Sequence, residues 1–171
     1  MKTIKTILTI LIIVTLLFFG TGMVVKENNY TSEVIVNKSL SETFRLFNNR
    51  ESIMLWCPEI KKIETIEEKP DFTGSKYRIT MDNNGEMMTS KEKILAYVKD
   101  QKVTSFFDAE QVLKTCNYTF TRQGNSTKIL LEASVQTETY ILSCVFPYIK
   151  GKFRKVDEQY LSNFKAFTEK Q

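Results

Sequence analysis

Phe146-Pro-Tyr-Ile-Lys-Gly-Lys-Phe-Arg-Lys-Val-Asp-Glu-Gln-Tyr-Leu-Ser-Asn-Phe-Lys-Ala-Phe167 decides the fold of this chain. Within it Phe146, Ile149, Phe153, Val156, Tyr160, Phe164 and Phe167 recur at steps of three and four. That spacing predicts one apolar face on a helix of roughly 20 to 25 residues. Lys150, Lys152, Arg154, Lys155, Asp157, Glu158 and Lys165 fall mainly on the other faces. So large an aromatic stripe has to be buried, and the segments before it supply the surface. They read as antiparallel strands, so the expectation is an α+β domain with a curved sheet wrapped around this helix. A cleft between sheet and helix would be lined by aromatic and aliphatic side chains, which suits an apolar molecule.

The strands are read from their alternation. Tyr30–Val36 is a first strand with Val34-Ile35-Val36 at its centre, and Ile60–Glu67 is a second. In Lys76–Asp82, Tyr77, Ile79 and Met81 point inward against Lys76, Arg78 and Thr80. Asn83-Asn84-Gly85 then marks a hairpin, because Asn and Gly tolerate positive φ. Met88–Val98 and Lys102–Phe107 follow, and Val112–Thr121 with Thr127–Thr137 form a last hairpin around Gly124. Cys116, Tyr118 and Phe120 share one face of that hairpin with Ile129, Leu131, Ala133 and Val135. Between the first two strands, Ser39-Leu-Ser-Glu42 is a capping box opening a short helix with Phe44 and Phe47. A second short helix, Arg50–Leu55, runs into Trp56-Cys57-Pro58. Pro147 suits the first turn of the closing helix, or marks a kink if that helix begins nearer Tyr140.

At the other end, Thr6 to Val25 carries no charged side chain. As a helix it would rise about 30 Å, the thickness of a bilayer core. Lys2 and Lys5 precede it, which would hold the amino terminus in the cytoplasm and send the rest across. A cleaved signal peptide is the competing reading, with Gly20-Thr21-Gly22 as small residues near a cut. Against cleavage, the apolar run continues through Met23-Val24-Val25. Either way residues 30–171 are expected outside the cytoplasm, with 1–29 as anchor or signal and linker.

Composition removes several classes of function. The net charge is +4 and falls to +2 when Lys2 and Lys5 are set aside, too little for a nucleic-acid binder. There is no histidine, hence no Ser-His or Cys-His nucleophile and none of the commonest metal ligand. Cys57, Cys116 and Cys144 match no zinc spacing, and three cysteines cannot all pair in one chain. No catalytic set, metal or cofactor is expected. Glu92 and Arg78 are acid-base candidates on inner strands, but their parity does not clearly point them inward; Glu92 shares a face with Ile94, Ala96 and Val98, which puts it either buried at one end or at the open rim.

This order of elements resembles the START/Bet v 1-like superfamily, most closely its polyketide cyclase/dehydrase and lipid-transport group. The resemblance rests on Val34-x-Val36, Ser39-Leu-Ser-Glu-Thr-Phe44 with Phe47, Trp56-Cys-Pro58, Gly74 and the Phe146–Phe167 helix, and covers about residues 31–169. It implies a helix-grip fold enclosing a hydrophobic cavity. By resemblance its walls include Phe44, Phe47, Trp56, Tyr77, Ile79, Met81, Tyr118, Phe120, Phe146, Ile149 and Phe153. The preferred expectation is a monomeric, membrane-tethered binding protein for a lipid or other apolar small molecule. A cyclase/dehydrase-type enzyme using the same cavity, or an interaction module with a vestigial one, are the alternatives.

Overall fold

The computed structural model describes residues 2–24, 27–83 and 85–171. The element order is α1 (Lys2–Val24), β1 (Glu27–Val36), α2 (Leu40–Phe47), α3 (Arg50–Trp56), β2 (Ile60–Glu67), β3 (Lys76–Asn83), β4 (Glu86–Val98), β5 (Lys102–Ala109), β6 (Val112–Gln123), β7 (Ser126–Thr137) and α4 (Tyr140–Thr168). All seven strands join one antiparallel sheet in the order β1-β7-β6-β5-β4-β3-β2. Six consecutive strands form the meander, and β1 closes its far edge by pairing with β7. This is the helix-grip arrangement, with an apolar helix at its amino terminus. Of the expected Asn83-Asn84-Gly85 turn, Asn84 lies outside the described residues, as do Val25 at the end of the apolar run and Lys26 at the start of the linker.

Local chemistry fixes the ends of the short helices. Ser39 caps α2 by accepting the Glu42 N–H at 3.4 Å, whereas the Glu42 carboxylate turns to Lys38. Only half of the capping box therefore forms. Asn49 caps α3 by accepting from the Glu51 N–H at 3.0 Å. Helix α2 lays Phe44 and Phe47 against β6, whereas α3 packs on β2 and α4 and sets Trp56 against Phe164.

The packed core occupies one half of the sheet. Phe47 is its centre, with ring centroids 5.4 Å from Trp56, 4.8 Å from Tyr118, 5.2 Å from Phe120 and 5.1 Å from Phe164. Around them lie Val36, Ile129, Leu131, Ala133 and Leu161, all buried. The edge-on contacts with Phe120 and Phe164 add to the area buried, because ring edges and faces carry opposite partial charge.

The closing helix is longer than its apolar spacing suggests, 29 residues from Tyr140, so Pro147 falls inside it. Its carboxyl-terminal half is the part set on the core, through Leu161 and Phe164. Val156 departs from the expected stripe and is 47% exposed, while its neighbour Asp157 is 3% exposed. The apolar face thus breaks for one polar position, which the charge partners described below explain. Gly151 has open space where a Cβ would sit and makes no close approach.

Between α1 and α4 there is a tight crossing. Gly22 lies so close to Cys144 that an added Cβ would collide with its sulfur. Phe18 stacks on Tyr148, Phe19 stacks on Tyr140, and the Tyr140 hydroxyl donates to the Phe19 carbonyl at 2.5 Å. The segment Thr3–Gly22 is long and apolar enough to cross a membrane, a property shared with signal sequences.

Candidate functional site

The inner face of the sheet outside the packed core is amphipathic. Register places Tyr77 opposite Glu92, and Glu92 opposite Phe107. Glu92 is 4% exposed and both its oxygens are engaged: Arg50 Nη1 lies 2.6 Å from Oε2, and Ser105 Oγ donates to Oε1 at 2.8 Å. The Arg50 guanidinium carbon also sits 3.9 Å from the Tyr77 ring centroid, a cation–π contact. Helix α3 carries Arg50 at its first position, so the Asn49 cap aims it across the concave face. Arg78, the other expected acid-base candidate, points to solvent.

A β-bulge between Ile94 and Ala96 shapes what comes next. One extra residue reverses the alternation, so Tyr97 replaces Ala96 on the inner face and pairs with buried Val103. The simple parity that grouped Glu92 with Ala96 and Val98 fails for this reason, and Val98 is exposed.

Tyr97 and Ile94 then form one wall of a pocket of about 300 Å³. The facing wall is α2, through Ser41, Phe44, Arg45 and Asn48, and Arg50 closes the inner end. Lys99 and Asp100 come from the β4–β5 hairpin, and Phe72 from the loop before β3. Phe72 tilts against Tyr97 at 4.8 Å and holds φ at 61°, a conformation costing a bulky residue about 1–3 kcal/mol. The pocket therefore combines aromatic walls with three cations, Arg45, Arg50 and Lys99, and one anion, Asp100.

A second polar cluster lies under α4. Asp157 accepts from Lys114 Nζ at 2.6 Å through Oδ1, and from the Tyr30 hydroxyl at 2.7 Å through Oδ2. It joins the helix to β6 and β1 at once. Burial and the adjacent carboxylate push the Tyr30 hydroxyl far above its ordinary pKa. Burial alone would lower Lys114, but the facing Cys116 and Asp157 outweigh it and the net direction is up. Cys116 is pushed up to about 11, first by burial. All three cysteines are buried and free.

The residues expected on the cavity wall divide by place. Phe44 lines the pocket and also meets Tyr97 and Phe120 at 5.3 and 5.0 Å. Tyr77 lies beneath Arg50. Phe47, Trp56, Tyr118 and Phe120 belong to the packed cluster. Ile79 is buried on β3 and Met81 half-buried. Phe146 and the half-buried Phe153 pair with each other at 5.2 Å, and Ile149 is half-buried beside them. Trp56 meets Phe164, 5.2 Å away. Arg50, Ser105, Lys114 and Asp157 were not singled out by the sequence as site residues. Lys114 shares the parity of Cys116 and could have been found; Arg50 gives no local signal.

No family model matches the chain, and no curated protein matches its sequence. Solved structures do match in shape. A START superfamily protein from Mycobacterium smegmatis superposes with TM-score 0.72 at 14% identity, covering 83% of this chain and 97% of its own. Zhui aromatase/cyclase from Streptomyces sp. R1128 gives 0.67 at 14%, covering 84% and 94%. Ara h 8.0201 gives 0.66 at 14%, covering 85% and 99%. The chain has the helix-grip fold of START/Bet v 1-like proteins and polyketide aromatase/cyclases.

Proposed function

We propose that this protein is a membrane-tethered, extracytoplasmic binding protein for a hydrophobic small molecule or lipid with a polar or anionic end. The observation that carries the reading is the pocket bounded by Phe44, Phe72, Ile94 and Tyr97 with Arg45, Arg50 and Lys99 around it. Aromatic walls favour an apolar body, and the cations favour a carboxylate, phosphate or polarised carbonyl. Phe44 would touch the ligand, and Tyr77 would orient Arg50 from below. The other expected wall residues on β3 and α4 would meet only a longer ligand.

Packing of Gly22 on Cys144 supports retention of α1 as an anchor, because cleavage near Gly22 would strip cover from a buried thiol. Lys2 and Lys5 support a cytoplasmic amino terminus. An enzyme of the cyclase/dehydrase type is favoured by one observation, the buried Glu92 held between Arg50 and Ser105. Yet both carboxylate oxygens already accept hydrogen bonds, which suits a structural or orienting role better than proton abstraction.

Native mass spectrometry of protein extracted in mild detergent is expected to show a co-purifying amphiphile. The fluorescent fatty acid cis-parinaric acid should bind the delipidated protein, and Ile94→Trp, which fills the pocket, should abolish that binding. Binding unchanged by Ile94→Trp and by an Arg45→Glu/Lys99→Glu pair would remove the pocket from the proposal. Protease digestion of oriented membrane vesicles tests the side on which the domain lies.

A further inference from the structure

The crossing of α1 over α4 fixes more than a tether. If Thr3–Gly22 spans the bilayer, Phe18 and Phe19 lie within about 6 Å of the end of the span, at 1.5 Å per residue. Tyr148 stacks on Phe18, and Tyr140 bonds the Phe19 carbonyl. The first turns of α4 therefore sit at the depth of the membrane interface. There α4 exposes side chains that water alone would not favour: Ile141 is 68% and Tyr148 67% exposed. Residues 141, 148 and 155 are seven apart and share one helical face, with Lys152 one turn beyond Tyr148. Along that face the character changes from apolar beside α1 to basic at Lys152 and Lys155, both exposed.

Resting on the anchor reading above, we propose that the first half of α4 is a membrane-seating segment, with Ile141 and Tyr148 embedded in the interface and Lys152 and Lys155 against anionic phosphates. Interfacial Tyr residues and amphipathic helices with basic flanks have this physical preference. Continuity with α1 is what selects a bilayer as the occupant of this face, since any other partner would have to enter the headgroup layer. The domain is then held against the membrane in one orientation, its seat formed by the helix that also grips the sheet.

The test uses the full chain reconstituted in phosphatidylcholine vesicles, with and without phosphatidylglycerol, carrying bromine at shallow acyl positions. Tyr148→Trp and Ile141→Trp each add one tryptophan to Trp56, which packs against Phe47 and Phe164 in the domain core. Ser162→Trp, at an exposed position on the distal half of α4, is the control. The added emission of the first two variants should be blue-shifted and largely lost to brominated lipid, while the control keeps its emission. Phosphatidylglycerol should deepen the quenching, and Lys152→Glu/Lys155→Glu should remove that increment. Flotation with vesicles after an alkaline wash separates the two readings. Protein that fails to float overturns the anchor and the seat together; protein that floats with unquenched Tyr148→Trp and Ile141→Trp overturns the seat alone.

Discussion

Lys114 and Asp157 meet at 2.6 Å beneath the closing helix, the carboxylate 3% exposed and its second oxygen held by Tyr30. The pair fastens α4 to β6, and Tyr30 fastens it to β1, at the position where the apolar stripe of α4 is interrupted. Two donors thus occupy the two carboxylate oxygens, and neither is easily spared.

Removing one partner should be far worse than removing both. Asp157→Ala leaves a half-buried ammonium and a half-buried phenol without their carboxylate, and should cost up to about 3–5 kcal/mol. Lys114→Met with Asp157→Leu replaces the pair by apolar groups of similar size and should recover most of that loss. Urea unfolding followed by near-ultraviolet circular dichroism measures both. Equal losses in the single and double variants would show that the ion pair itself, rather than the stranded charge, sets the effect.

Stability should be level through neutral pH and fall in alkali. The chain has no histidine to titrate near pH 7. Cys57, Cys116, Tyr30 and Tyr160 are all raised above their ordinary values, burial being the first cause in each. A raised group keeps its proton in the native state after the unfolded chain has lost it. The unfolded state then binds fewer protons, so stability decreases with pH. The contribution is complete below pH 9, begins to go as unfolded cysteines ionise, and for Cys116 is exhausted at about 11. Thermal melts should therefore decline from pH 9 upward, and Cys116→Ala should shallow the decline. A midpoint constant to pH 11 would contradict the burial of these groups.

The architecture was legible because it rests on local periodicity. Tyr77 and Ile79 alternate with charged neighbours and are buried, and Ser39 caps α2 as its spacing suggests. The site was less legible for three physical reasons. The bulge at Ile94/Ala96 breaks a parity that only a partner strand reveals. Asp157 looks like a solvated helix residue until Lys114 and Tyr30, far away in sequence, arrive beside it. Arg50 opens a short helix, and nothing local says that its side chain crosses the sheet to Glu92. Long-range polar pairing leaves no period in a sequence.

Two aromatic residues on one helix should differ sharply when truncated. Phe164 is fully buried between Phe47 and Trp56, so Phe164→Ala should cost about 3–5 kcal/mol. Phe153 is half-buried and tilts against Phe146 outside that cluster. Its truncation removes less packed surface and should cost about half as much or less. Denaturant melts of the two variants decide the matter. A larger loss at Phe153 would mean that the core reaches further along α4 than its contacts indicate.

Arg50 and Glu92 should show the opposite of symmetry. Arg50→Met leaves the buried Glu92 carboxylate with Ser105 as its remaining partner, whereas Glu92→Met leaves a guanidinium that still faces Tyr77 and lies at the pocket. An unpaired buried charge is the costlier remnant, so Arg50→Met should lose about 3 kcal/mol or more and Glu92→Met about 1–2 kcal/mol. Ligand binding should divide the other way. Glu92→Met frees the cation for an anionic ligand and should strengthen retention of cis-parinaric acid, while Arg50→Met should weaken it. Stability melts beside probe titrations of both variants test the pair. If Glu92→Met destabilises the protein more than Arg50→Met, the carboxylate has a role in the fold that its hydrogen bonds to Arg50 and Ser105 do not account for. If Glu92→Met leaves binding unchanged, Arg50 does not face the ligand.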